Sequence, residues 1–204
     1  MIILYVNIRY NLKTNFIGTK LIIRAQKEEN FTLANLILNA IGSVANTLTG
    51  EQEKEKILQT LNLYINMDYS RLSYNNIWIY KEEKKIIGLI VAYDSNHSSS
   101  LDKPLIKHLN TKGLHVKSFD KECLEDEFYI DTISIDERFQ RRGIGKKLME
   151  FIEEKAKNLK FKKLSLLVDF DNHDALRLYE KVGFKINTTF VLSNHNYHHM
   201  IKTI

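Results

Sequence analysis

What most constrains this chain is a double change of period inside residues 127–168. EFYIDTISI (127–135) is β-branched, aromatic and alternating, the mark of a strand. Two glycines then stand at 143 and 145, and Ile144, Leu148, Phe151, Ile152, Ala156 and Leu159 recur at helical spacing before KLSLLV (163–168) restores strand character. The result is a β-loop-α-β unit, and such units build sheets with helices laid against them. A further helix, about 172–182, stops at Gly183, the residue type suited to the left-handed position just beyond a helix.

Upstream, Leu33, Leu36, Ile37, Ala40, Ile41, Val44 and Leu48 predict one amphipathic helix from Asn30 or Thr32 to near Gly50. A second covers 51–66 behind an acidic first turn that complements the helix dipole. KLIIRA (20–25) is the first clear strand, and NIWIY (76–80) and KIIGLIVAY (85–93) flank the charged turn KEEK as an antiparallel hairpin. Residues 94–122, with SNHSSS, the lone Pro104 and Gly113, read as a long connection with a short helix around 102–110; connections of that length are usually functional or mobile. The tail after Gly183 gives one or two strands. The expected order is β-α-α-β-β-β-α-β-α-β-β, a mixed α/β fold in a single domain over residues 21–204. Residues 1–20 form an extension with three readings: an extra strand, a surface that pairs subunits in a homodimer, or a loose arm.

A chain of 204 residues can bury roughly 70% of the surface its unfolded form exposes. Hydrophobic residues at 44%, one proline and eight glycines exclude low-complexity sequence. The single cysteine, Cys123, excludes an internal disulfide framework and a multi-cysteine zinc site, and it fits a reducing compartment, so a cytoplasmic location is expected. The apolar opening MIILYVNIRY is interrupted by Asn7 and Arg9 and lacks a basic lead and a cleavage site, so no signal peptide is read. No window reaches the ~18 uninterrupted apolar residues of a membrane span.

The net charge of +5 is concentrated in Arg138, Arg141, Arg142, Lys146 and Lys147. A compact cluster suits a small polyanion. A long nucleic acid would want a basic stripe with aromatic residues to stack its bases, and Phe139 alone stands among these charges. A helix N-terminus offers unpaired N–H groups and about half a positive charge, and glycine at 143 and 145 keeps side chains out of the approach. Two other phosphate motifs fail: a dinucleotide fingerprint needs glycine where Leu148 stands, and a P-loop needs glycine and Ser or Thr where Gln140 and Lys147 stand.

What remains, Q/R-x-x-G-x-G/A after a strand and opening a helix, resembles the acetyl-CoA loop of the GNAT superfamily of N-acetyltransferases. DNHDALRLYEKVGF (171–184) is similar to a second family signature, matching Asn172, Ala175, Leu178, Tyr179, Gly183 and Phe184, and YIDTISID (129–136) is like the strand before its loop. The resemblance implies a central mixed β-sheet flanked by helices on both faces. It implies acetyl-CoA as cosubstrate without a metal, a small-molecule or peptide amine as acceptor, and neither nucleic acid nor membrane as partner. Gln140, Arg141, Arg142, Gly143, Ile144, Gly145 and Lys146 would hold the pyrophosphate and Asn172 the pantetheine arm. The strand at Ile133, Ser134 and Ile135 would run beside the thioester, with Tyr179 near its sulfur. A catalytically silent acyl-CoA sensor would share all of these features.

Direct transfer to an amine in a ternary complex makes three electrostatic demands. An alkyl ammonium is neutral about once in 2,500 molecules at pH 7, a deficit of about 4.6 kcal/mol that a base or a desolvating site must offset. Asp131 is the first candidate base, because family members keep theirs on this strand, and Glu125 and Glu127 are backups. Backbone N–H groups of the strand meet the developing oxyanion, where one donor is worth about 3–4 kcal/mol. The resemblance implies that Tyr179 protonates the leaving thiolate. Strand alternation places Tyr129, Asp131, Ile133 and Ile135 on one face. Cys123 lies in the acidic run FDKECLEDE, which suppresses its thiolate, and His198 and His199 of a terminal strand point to opposite faces, which disfavours a metal site.

Overall fold

The computed structural model describes residues 20–27, 31–192 and 195–204. The extension expected over 1–20 lies outside them apart from Lys20, the first residue of β1 (Lys20–Arg24). There follow α1 (Thr32–Ile41), α2 (Val44–Thr49), α3 (Lys54–Ile65), the hairpin β2 (Ile77–Glu82) and β3 (Lys85–Asp94), and α4 (Ser98–Thr111). The second half holds β4 (Phe128–Ile135), α5 (Ile144–Asn158), β5 (Lys163–Asp169), α6 (His173–Lys181), β6 (Lys185–Leu192) and β7 (His195–Thr203). The strands make one seven-stranded sheet in the order β1-β2-β3-β4-β5-β7-β6. Every neighbouring pair is antiparallel except β4–β5, the pair that the α5 crossover joins.

Helices cover both faces. On one, Ile144, Leu148, Met149, Ile152 and Ala156 of α5 are buried against Ile87, Ile90, Ile130, Leu164 and Leu166. On the other, Leu33, Leu36 and Ile37 of α1 and Ile57, Leu61, Tyr64 and Ile65 of α3 close over Ile77, Ile79, Leu89 and Val91. Gly88 lies where the sheet meets the loop after β4: a β-carbon there would stand 2.6 Å from Ile135 Cδ1 and 3.0 Å from Ser134 O.

Two expectations need correction. The single helix expected to run to Gly50 is broken between Ile41 and Val44 by Gly42, at φ 53° and ψ −127°, a conformation open to a residue without a β-carbon. The break turns the apolar face, so that Val44 is exposed while Ala45 and Leu48 are buried. In the connection 94–122, the short helix is the fourteen-residue α4, whose Leu101, Leu105 and Leu109 are buried at one-turn spacing. Its polar, serine-rich start masked that spacing. The observed order therefore has two more helices than the expected one, one before the hairpin and α4 after it.

Candidate active site

The central feature is a gap between two neighbouring strands. β4 and β5 share three rungs, Phe128–Leu164, Tyr129–Ser165 and Ile130–Leu166, and then part, although β4 continues to Ile135 and β5 to Asp169. Beyond the last rung, β4 remains laddered to β3 and β5 to β7. The backbone groups that residues 131–135 turn toward β5 therefore have no strand opposite them, so polar groups line an opening through the sheet.

The parting coincides with a β-bulge. Val91 pairs with Thr132 and Ala92 with Ile130, which leaves Asp131 as the extra residue. The bulge overturns the expected alternation. Tyr129 and Asp131 do share a face, but Ile133 and Ile135 pack into the α5 face. Ser134 faces the opposite way, and its hydroxyl donates to Leu36 O of α1 at 2.6 Å.

At the end of β4 the chain makes a short turn, with Asp136 Oδ1 accepting from Arg138 N, and Gln140 Nε2 donates back to Ile135 O at 3.2 Å. Arg141 and Gly143 both adopt positive φ, 59° and 74°. Left-handed residues so closely spaced turn successive N–H groups toward one concavity, the nest that binds anions. Among the described residues, no acceptor within hydrogen-bond distance meets the N–H groups of residues 141–146. A β-carbon on Gly143 would meet nothing within 4 Å, and one on Gly145 would meet only Ile133 Cδ1 at 3.8 Å, so the space before these amides is open. The donor set and the clear approach fit a diphosphate.

The side chains around this loop are not equally available. Arg138 is held by Asp136 at 2.9 and 2.6 Å, and that pairing keeps the Asp136 carboxyl down at about 2. Arg142 lies 4.8 Å from the Phe139 ring centre, with Lys85 at 5.1 Å. Arg141 and Lys146 are exposed beside the amides, Lys146 within 3.7 Å of Glu150. A polar cavity of about 720 Å³, lined by Asn35, Asn39, Lys84, Lys85 and Arg138, lies beside the loop rather than in the strand gap.

Helix α6 carries the second motif. Asn172 caps it, accepting from Ala175 N at 3.1 Å. At the far end Gly183 N donates to Glu180 O and Phe184 N to Tyr179 O, the paired bonds of a Schellman ending, with Gly183 at φ 98°. These caps fix the register of Tyr179, whose ring packs into the α5-face core 6.1 Å from Phe184. Burial pushes its phenol up to about 12, and its hydroxyl has no hydrogen-bond partner among the described residues.

On the opposite face the bulge carries a buried ion cluster that sequence reading did not find. Arg71, between α3 and β2, donates from Nε and Nη2 to Asp131 Oδ2 at 2.9 and 2.7 Å, and from Nη2 to Glu122 Oε2 at 2.6 Å. Tyr93 OH donates to the same Asp131 oxygen and Thr132 Oγ1 to the other. Asp102 of α4 stands 3.6 Å from Arg71 Nη1, in ion-pair range but without a hydrogen bond. Burial lifts the Asp102 carboxyl to about 6, against the pull of Arg71. Burial alone would lower the Arg71 pKa, but Asp131 and Glu122 raise it well above the ordinary arginine value. Nothing in DYSRLSYNN marks Arg71 as buried, and Glu122 is one acid among several in its segment.

The remaining candidates are placed as follows. Glu125 is exposed. Glu127 accepts from Leu124 N and lies 3.0 Å from His199 Nε2 in full burial. Asn187 Nδ2 approaches His199 Nδ1 at 3.3 Å, so the ring proton belongs on Nε2, facing the carboxylate. His198 stacks on Phe170 at 3.9 Å, away from this pair. Cys123 is buried, and burial first, then Glu122, pushes its thiol to about 11.

The sequence matches the model of the Acetyltransferase (GNAT) family over residues 45–184, which takes in the gap, the loop and α6. This chain belongs to the GNAT acetyltransferase family. Over its whole fold, this GNAT protein is similar to a crystal structure described as an acetyltransferase, with 36% identity and a TM-score of 0.76 over 90% of this chain and 99% of the other. It is also similar to an N-acetyltransferase from Staphylococcus aureus Mu50, with 28% identity and a TM-score of 0.76 over 89% and 99%. Among curated proteins it is 34% identical over 70 residues to the spermine/spermidine N(1)-acetyltransferase of Bacillus subtilis, 34% of this chain and 46% of that protein. It is 31% identical over 71 residues to a D-amino-acid N-acetyltransferase of Saccharomyces cerevisiae, 35% and 44%. Each alignment thus spans less than half of the curated relative.

Among the described residues no helix is long and apolar enough to cross a membrane.

Proposed function

We propose that this protein is an acetyl-CoA-dependent N-acetyltransferase acting on a primary amine by direct transfer. The observation that carries the reading is the row of unbonded amides over 141–146 at one end of a strand whose free edge opens through the sheet. Acetyl-CoA supplies an activated acyl group when bound. The loop amides, with Gln140, Arg141, Arg142 and Lys146 around them, hold its diphosphate; Asn172, with its side-chain NH₂ unengaged, meets the pantetheine arm; and the free edge of Ile133, Ser134 and Ile135 aligns the thioester.

The two faces divide the chemistry. Tyr179, packed on the α5 face, is a neutral phenol, since its raised pKa keeps it protonated throughout the working range, and in this reading it donates to the departing sulfur. The acceptor amine comes from the other face, where the carboxylates around Arg71 stand and the proton-accepting group belongs. Backbone N–H groups on the β4 edge stabilise charge developing on the thioester oxygen.

The test is calorimetry with acetyl-CoA, followed by free-thiol release over a panel of primary amines that includes spermidine and D-amino acids. Binding with turnover of at least one amine is expected, and Tyr179→Phe should cut kcat about 100-fold with little change in acetyl-CoA affinity. Binding without turnover of any amine would make the protein a sensor.

A further inference from the structure

The carboxylate that takes the ammonium proton is, we propose, Glu122, with Arg71 and Asp131 as the residues that position it. This rests on the transferase reading and names the proton acceptor within it.

Asp131 is the strand residue at the gap, but both of its oxygens are already engaged. Oδ2 accepts from Arg71 Nε, Arg71 Nη2 and Tyr93 OH, and Oδ1 from Thr132 Oγ1; its side chain is 7% exposed. Glu122 shares the same guanidinium nitrogen, yet its engaged atom is Oε2 alone, which accepts from Arg71 Nη2 and from Tyr129 OH at 3.0 Å. Oε1 accepts nothing among the described residues, and the side chain is 26% exposed.

The anchoring points also locate it. Tyr129 stands on the second of the three β4–β5 rungs, and Asp131 is the first β4 residue past the last. Glu122 is tied to both positions, one by a phenol and one through Arg71, so its carboxylate lies over the apex where the strands part. On the β7 side stands Tyr197, which pairs with Asp169 at the end of β5 and whose phenol is raised by burial first, then by the charges of Asp169 and Glu122. The charged and titratable groups facing it are Arg71, Asp131, Asp102, Tyr93, Tyr129 and Tyr197, with Cys123 adjoining in sequence; of these Arg71 alone is a cation. An ammonium entering here meets a carboxylate whose second oxygen is uncommitted.

The proton balance follows. The ammonium loses one proton to Glu122 Oε1. The freed lone pair forms the N–C bond as the C–S bond breaks, and the thiolate takes the Tyr179 proton. Tyr179 is restored by the second proton that the nitrogen sheds, and Glu122 returns the first to solvent.

The experiment compares Glu122→Gln with Asp131→Asn, using an amine the native protein acetylates, over pH 6–10. With Glu122→Gln, kcat at pH 7 should fall about 100-fold or more while acetyl-CoA affinity stays within about threefold. Its rate should then climb about tenfold per pH unit toward the amine's own pKa of ~10, where the native profile is flatter. Glu122→Asp, which keeps the charge but shortens the reach, should lose about tenfold and keep the native profile shape; it carries the test if the glutamine variant does not fold. A native-like rate in both Glu122 variants, or the steep profile appearing in Asp131→Asn and not in Glu122→Gln, overturns the assignment while leaving the transferase reading intact. Native protein that acetylates no amine removes both.

Discussion

The two ends of the gap are built on opposite plans. The phosphate loop is continuous in sequence, exposed, and made of backbone groups kept free of partners. The Arg71 cluster draws residues from α4, β3, β4 and two separate loops, is largely buried, and consists of side chains each holding another. One end is shaped by what the chain omits, the β-carbons at 143 and 145; the other by charges that require one another. Substitutions should therefore have opposite signatures, with binding changing at the loop and stability at the cluster.

The largest expected effect is at Arg71. Arg71→Met removes the one cation shared by Asp131 and Glu122 and leaves buried carboxylates uncompensated, so it should destabilise the fold by about 3–5 kcal/mol in urea titration. Arg141→Ala, on an exposed side chain, should change stability by less than about 0.5 kcal/mol while weakening acetyl-CoA binding severalfold. Equal effects of the two on stability would break the contrast.

The next effect sharpens it within the buried half. His199→Leu strands Glu127 and should cost about 3 kcal/mol at neutral pH. Burial alone would lift the Glu127 carboxyl, but the bonds from His199 and Leu124 N outweigh it and hold it below the ordinary carboxylate value. A depressed carboxyl contributes stability above its unfolded pKa of ~4.3 that is lost as pH falls through the folded value. Native protein should accordingly weaken in acid more steeply than His199→Leu.

Asp102 carries the reverse sign. Its carboxyl, lifted to about 6, favours the protonated folded state, so ionisation costs stability above that pH and nothing below the unfolded value of ~4. Asp102→Asn should raise stability by about 2 kcal/mol at pH 8, with the gain vanishing near pH 4, as followed by thermal melts across pH. Gly143→Ala should perturb stability less than any of the buried substitutions, since a left-handed alanine costs about 1 kcal/mol, but the methyl stands before the loop amides and should cut acetyl-CoA affinity at least tenfold.

The same contrast governs what could be read from sequence. Glycine spacing after a strand reports backbone geometry directly, because the residues that make the concavity are neighbours in the chain, so the loop, α5 and the capped α6 were legible at residue level. The cluster was not. Arg71 reaches Asp131 across 60 positions and Glu122 across 51, and nothing local distinguishes a buried arginine from a solvated one. The bulge at Asp131 was equally hidden, since an alternating pattern carries no sign of one extra residue. Gly42 was visible, but whether a glycine ends a helix or rides inside it is decided by what the next turn packs against.

Three rungs are a narrow hinge for a seven-stranded sheet. β1–β4 and β5–β7 are also tied by α5 lying across them, by Leu167 packing against the cluster that holds Tyr129 and by the Glu127–His199 clasp, so beyond the three rungs the seam is held by side chains and not by a backbone ladder. Whatever lodges there acts as a missing strand: it wedges the halves at a set spacing and shields their facing edges from solvent. Occupancy should be visible as slowed amide exchange along residues 131–135 and 167–169, far beyond the atoms that react.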